Sequence, residues 1–143
     1  MIAISPLADL TALQAHALFK LRVDVFVVEQ QCPFAEIDDI DAHPDTRHLL
    51  AWDDSELLGC ARVFPTDSGS RFGRFVVDPA ARGTGLGHDI VRTGIDYTRR
   101  FRGDLVIEAQ SGLVGYYAGF GFVAEGEEFL DAGIPHVTMR LAR

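Results

Sequence analysis

Cysteine, long apolar runs and positive charge are all scarce in this chain of 143 residues. Only two cysteines occur, Cys32 and Cys60, with neither CxxC nor metal-ligand spacing. That pattern argues against a disulfide scaffold and reads as two free thiols in a reducing cytoplasm. No apolar run approaches the roughly 20 residues that span a bilayer. The opening MIAISPLADL lacks the basic n-region and apolar core of a signal peptide, so the expectation is a cytoplasmic protein with no membrane partner. Lys and Arg number 13 against 21 Asp and Glu, a formal net charge of −8, which argues against general nucleic-acid binding. The histidines make no metal site either. His43 and His48 are separated by Pro44 and have no cysteine beside them, and Asp39-x-Asp41 lacks the glycine and closing Glu of a calcium loop. No metal is expected.

What the chain does have is an ordinary globular composition, 48% hydrophobic and 24% charged, at a length that suits one compact domain over residues 1–143. From about Asp9 to Val28 the apolar positions Leu10, Leu13, Ala17, Leu21 and Val25 recur at helical spacing, with Pro33 closing the segment. Glu36, Asp38, Asp39, Asp41 and Asp45 follow in an aperiodic loop. Such a loop either steers a cationic partner or is merely solvated and held by its own turns. His48–Trp52, Leu57–Phe64 and Phe72–Val77 read as strands joined by short turns, an antiparallel meander. Leu105, Val106 and Ile107 form an apolar run expected of a strand covered on both faces. A short helix about Leu113–Gly119 and a final hairpin ending near Leu141 complete an α/β domain with a mixed sheet.

The most informative stretch is VVDPAARGTGLGHDIV, residues 76–91. An apolar strand is stopped by Asp78-Pro79, a glycine-rich turn follows, and helical periodicity begins, with Leu86, Ile90, Tyr97 and Phe101 on one face and Gly94 placed for a close approach to the sheet. Strand, glycine turn and helix start aim several backbone N–H groups at one spot beside a positive helix end, where a phosphate or pyrophosphate binds. A Walker loop needs Gly-Lys-Ser/Thr, and Gly87-His88-Asp89 stands there instead. A dinucleotide fingerprint needs a third glycine where His88 stands. The pattern that fits is Arg/Gln-x-x-Gly-x-Gly/Ala, met by Arg82, Gly85 and Gly87.

With that pattern the chain resembles the GNAT acyltransferase superfamily. Gly115-Tyr116-Tyr117-Ala118-Gly119-Phe120-Gly121-Phe122 looks like its second signature, and Arg22 to Gln30, Cys32-Pro33, the acidic loop and Gly133-Ile134-Pro135-His136 look like the ElaA-type branch. The matches run in order from about Leu21 to Met139. The resemblance implies a GNAT fold, a mostly antiparallel mixed sheet flanked by helices and splayed at the cofactor. It also implies transfer of an acetyl group from acetyl-CoA to a small-molecule or peptide amine by direct attack.

In that reading Arg82, Gly83, Thr84, Gly85, Leu86 and Gly87 bind the diphosphate. Phe75, Val76 and Val77 offer an unpaired strand edge to pantetheine, and Tyr117 protonates the leaving thiolate. Gln110 stands where many members carry a cofactor-binding Asn. Glu29, His48, Glu108 and His136 are open as base or substrate contacts, beside a water relay. Two alternatives stay open, a GNAT using another acyl-CoA and a CoA-binding sensor without turnover. Val91 and Ile95, read as a second apolar edge on the helix, leave room for a homodimer.

Overall fold

A computed structural model describes residues 1–31 and 35–143; Cys32 and Pro33, and the expectations placed on them, lie outside the described residues. Seven strands form one sheet in the order β1-β2-β3-β4-β5-β7-β6. They are β1 (Ile2–Ser5), β2 (Arg47–Asp53), β3 (Glu56–Pro65), β4 (Gly69–Val77), β5 (Asp104–Gln110), β6 (Val123–Asp131) and β7 (Ile134–Leu141). All neighbours are antiparallel except β4 and β5. The expected meander is β2–β4, and β1 extends it at one edge. β1 is four residues long and only partly buried, too short to carry a periodic signal.

Helix α1 (Ala12–Val23) packs on one face of the sheet, and α2 (Leu86–Thr98) on the other. Thr11 starts α1 with a capping box: its hydroxyl accepts from Gln14 N–H (3.1 Å) and Gln14 Oε1 accepts from Thr11 N–H (2.9 Å). The predicted helix to Val28 is interrupted. α1 passes at Asp24 into a wider π turn that runs to Glu29. Val23, Val25, Val27 and Val28 crowd this stretch with β-branched side chains, which fit poorly against a preceding α turn.

The sheet separates two apolar cores. Leu18, Leu21 and Val25 meet Leu50, Cys60 and Val76 on the α1 side, while Ile90, Val91 and Ile95 meet Val63, Phe72 and Leu105 on the α2 side. Val91 and Ile95 are 1% and 3% exposed, so they are the centre of the helix's inner face and not a second edge, and the dimer argument built on them fails. Gly94 makes the expected close approach: a Cβ there would lie 2.6 Å from the Phe72 ring. On β5, Leu105 and Ile107 are buried under α2 while Val106, Glu108 and Gln110 point the other way, so this strand is covered by core on one face only. Among the described residues no helix is long and apolar enough to cross a membrane.

Candidate active site

Strands β4 and β5 pair over three residues only, Gly69 with Asp104, Ser70 with Leu105 and Arg71 with Val106. Beyond Arg71 each keeps only its outer neighbour, β4 holding β3 and β5 holding β7. A wedge opens between them into a cleft of about 890 Å³. Within β4, Cys60 of β3 faces Val76 but Arg62 faces Gly73, which leaves an extra residue on β4. This bulge holds Arg74 at a φ of +49°, a conformation a non-glycine residue adopts only under constraint. Past the bulge, Asp78 N–H donates to Leu58 O of the preceding strand (2.8 Å). Successive N–H groups alternate along a strand, so that of Val77 points to the opened edge.

The glycine-rich turn lies at the wide end of the wedge. Gly83 and Gly85 have φ of +79° and +86°, and Gly85 is the residue on which α2 begins. Both need the left-handed region, and both line the cleft. At Gly87 the constraint is space: a Cβ would lie 3.2 Å from the Phe75 ring and 3.3 Å from Val77 Cγ2. The first N–H groups of α2 have no partner within the helix and meet its positive dipole end here. Arg82 fastens the turn, its Nε donating to Val77 O (3.1 Å) and its two terminal nitrogens to the Glu29 carboxylate (3.0 and 3.1 Å). Thr84 and Leu86 stand behind the lining. Thr84 Oγ1 donates to Ala81 O (2.6 Å), and the Leu86 side chain packs into the α2 core.

Tyr117 enters from α3 (Val114–Ala118), with its ring edge-on to Phe122 (6.0 Å) and to Tyr116 (5.4 Å). It lines the cleft, yet burial leaves it 6% exposed and pushes its phenol well above the ordinary value. Tyr116 lines the same space, more exposed, stacked on Phe75 at 6.5 Å. Gln110 Nε2 donates to Gln30 Oε1 (3.3 Å), tying the end of β5 to the segment after the π turn.

The four open candidates divide. Glu108 and His136 line the cleft on neighbouring strands. Glu108 is paired with Arg71 at 2.7 Å, and His136 Nδ1 is 2.7 Å from Ile134 O. A carbonyl only accepts, so Nδ1 carries the proton and Nε2 of the neutral ring is left bare. Glu29 is bound to Arg82 outside the lining. His48 is a correction as a site residue. It is fully buried away from the cleft with Nε2 3.0 Å from Asp41 O, and burial lowers its pKa, so it serves the interior as a neutral ring.

Residues 36–45 correct the cation-steering expectation. Three of the five carboxylates, Glu36, Asp38 and Asp41, face inward onto arginines from α1, β3 and β4. Arg22, 1% exposed, donates from Nε to Glu36 Oε2 (2.7 Å) and from Nη1 and Nη2 to Asp41 (2.7 and 3.1 Å). Arg62 bridges Asp38 (2.7 and 3.1 Å) and Asp41 (2.9 Å), and Arg74 reaches Glu36 (3.1 Å) and Asp38 (3.3 Å). Burial works against the Asp41 carboxylate, but its arginine partners outweigh it and hold its pKa down at about 2. These carboxylates are therefore unavailable to steer a cation from solvent. Arg62, Arg74 and Glu36 instead line one end of the cleft, with Arg22 buried behind them. Composition alone could not reveal this, because the partners are 14 to 38 residues apart. Arg71, also on the wall, carried no motif in the sequence.

The comparisons with known proteins agree with this geometry. The acetyltransferase (GNAT) domain model matches residues 13–143. Protein ElaA of Escherichia coli (strain K12) is 35% identical over 137 residues, 92% of this chain and 90% of that protein. The crystal structure of Escherichia coli ElaA superimposes with a TM-score of 0.92 at 32% identity, covering 98% of each chain. An acyl-CoA N-acyltransferase from Pseudomonas aeruginosa has a TM-score of 0.92 at 39% identity and covers 99% of each chain. A fold with β4 and β5 parted beside a glycine-led helix, in a sequence alike along nearly its whole length, places this chain in the GNAT acetyltransferase family, whose acyl donor is an acyl-CoA.

Proposed function

We propose that the protein transfers an acetyl group from acetyl-CoA to a primary amine in the cytoplasm, by direct attack while both ligands are bound. The observation that carries this reading is the parting of β4 from β5 directly beside the N-terminus of α2. A diphosphate on the N–H groups of Gly83–Gly87 leaves the pantetheine arm to run along the open edge of Phe75, Val76 and Val77. The N–H of Val77 is then available to the oxyanion that forms as the amine adds to the thioester carbonyl.

Two protons must move. The amine loses one, and His136 Nε2 is the cleft-wall nitrogen whose tautomer can accept it, directly or through water. The departing thiolate gains one from Tyr117. Burial keeps that phenol protonated across the neutral range, and the same dry surroundings raise the basicity of the thiolate, so donor and acceptor stay matched.

Steady-state thiol release from acetyl-CoA with a panel of amines tests the reading. Amine-dependent release is expected; binding without release identifies a sensor, and release only from longer acyl-CoAs a different donor. Tyr117→Phe is expected to lower kcat by about 10²–10⁴ with CoA affinity near normal, because the ring and its packing remain. Tyr116→Phe should change kcat by no more than about twofold. A Tyr117→Phe enzyme with wild-type kcat, under conditions where chemistry limits the rate, overturns the assignment.

A further inference from the structure

Where β4 and β5 part, an ion pair stands on the cleft wall. Arg71 is the last β4 residue paired with β5, and its Nη2 lies 2.7 Å from Glu108 Oε1 on β5. The side chains are 36% and 40% exposed, so the pair is neither dry nor strongly held. Each group neutralises the other. An acceptor carrying a single charge would have to displace one partner and leave the other uncompensated in a narrowing cleft. A molecule carrying both charges replaces both partners together. We propose that the acceptor is a zwitterion of the α-amino acid class, its carboxylate taken by Arg71 and its amine by Glu108.

The strand register gives this pair a direction. In the parallel pairing Arg71 stands level with Val106, so Glu108 is one step further toward the open end, where Phe75, Val76 and Val77 lie. The amine is thus held on the thioester side and the carboxylate toward the closed end of the wedge. His136 follows on the same face: Glu108 pairs with Thr138 of β7, and Gln110, two residues on, pairs with His136. The group that receives the amine's proton therefore lies beyond Glu108 in the same direction. Phe64, directly opposite Arg71 on β3, adds apolar surface for a side chain.

This inference names the substrate class of the transfer site and rests on that reading for the chemistry, but its test is a binding measurement. Protein saturated with CoA is titrated calorimetrically with the L-amino acids, their methyl esters and the corresponding decarboxylated amines. At least one amino acid should bind tenfold or more tighter than both its ester and its amine. Arg71→Met should abolish that preference, weakening the amino acid and tightening the decarboxylated amine, which no longer has to displace an arginine from Glu108. Glu108→Gln should weaken ester, amine and amino acid alike, and CoA affinity should be unchanged in both variants. If esters or amines bind as well as every amino acid, if nothing in the panel binds, or if Arg71→Met keeps the preference, the inference is overturned and the pair is only a latch between strands. Binding of amino acids without acetyl transfer would instead overturn the transfer reading alone. Transfer to simple amines without amino-acid preference would overturn this inference alone.

Discussion

The glycine turn at 82–87 and the acidic segment at 36–45 are the two most conspicuous stretches of this sequence, and they turned out to differ in kind. The first presents its own backbone: the left-handed Gly83 and Gly85 line the cleft where α2 begins, and the N–H groups of Gly87 and His88 have no partner within the helix. The second acts through partners brought by other elements, and its carboxylates face inward onto Arg22, Arg62 and Arg74. A site made from consecutive backbone groups is written locally. A charge network is written in pairings that only the folded chain brings together.

The comparison breaks if the two regions respond alike to substitution, and the largest effect is expected in the network. Arg22→Met leaves Glu36 and Asp41 buried without their main cation and should cost about 3–5 kcal/mol of stability, read from urea unfolding. CoA affinity per folded molecule should be little changed. The acid limb of the stability curve sharpens the point. Asp41 ionises at about 2 in the folded chain against an ordinary 3.8, so its contribution is complete above pH 4 and disappears as the pH falls toward 2. That shift corresponds to about 2 kcal/mol, and Asp41→Asn should flatten this limb. His48 has the same sign at higher pH: held neutral below its usual 6.5, it costs stability as the unfolded chain takes up its proton first. Glu36, which burial pushes upward, works in the opposite direction.

The smallest effect on stability, with the clearest effect on binding, is expected at the turn. Gly85→Val asks a β-branched residue to hold a φ of +86°, a strain of about 1–2 kcal/mol. It should weaken CoA binding by about tenfold or more by calorimetry, because the N–H groups lose their alignment. Unchanged affinity in a folded Gly85→Val variant would remove the turn from the site.

Legibility follows the same division. The presence and order of strands β2 to β5, the helix α2 and the close approach at Gly94 are set by short-range periodicity and were readable, although β4 begins at Gly69, before the expected Phe72, and β5 is covered by core on one face instead of two. The inner face of α2 was misjudged around Val91 and Ile95, because a helix lying flat on a sheet buries a wider arc than a single stripe of spaced residues suggests. His48 could not be separated from the catalytic candidates, since a histidine in a strand looks the same whether its face meets a cleft or the core. Arg71 and Glu108 are far apart in the sequence and become a pair only through the parallel register of β4 and β5.

The bulge at Arg74 makes β4 a strand of two phases. Phe72 and Val76 are an even number of residues apart, and in an uninterrupted strand both would face the same helix. Instead Phe72 lies in the α2 core and Val76 in the α1 core. The extra residue inverts the parity of everything downstream. It therefore determines which edge the Val77 N–H addresses and, with it, the approach of the chain to the glycine turn. Between Phe72 and Val77 the number of residues matters as much as their identity: removing one would rotate the end of the strand by half a turn and direct its donor back into the sheet.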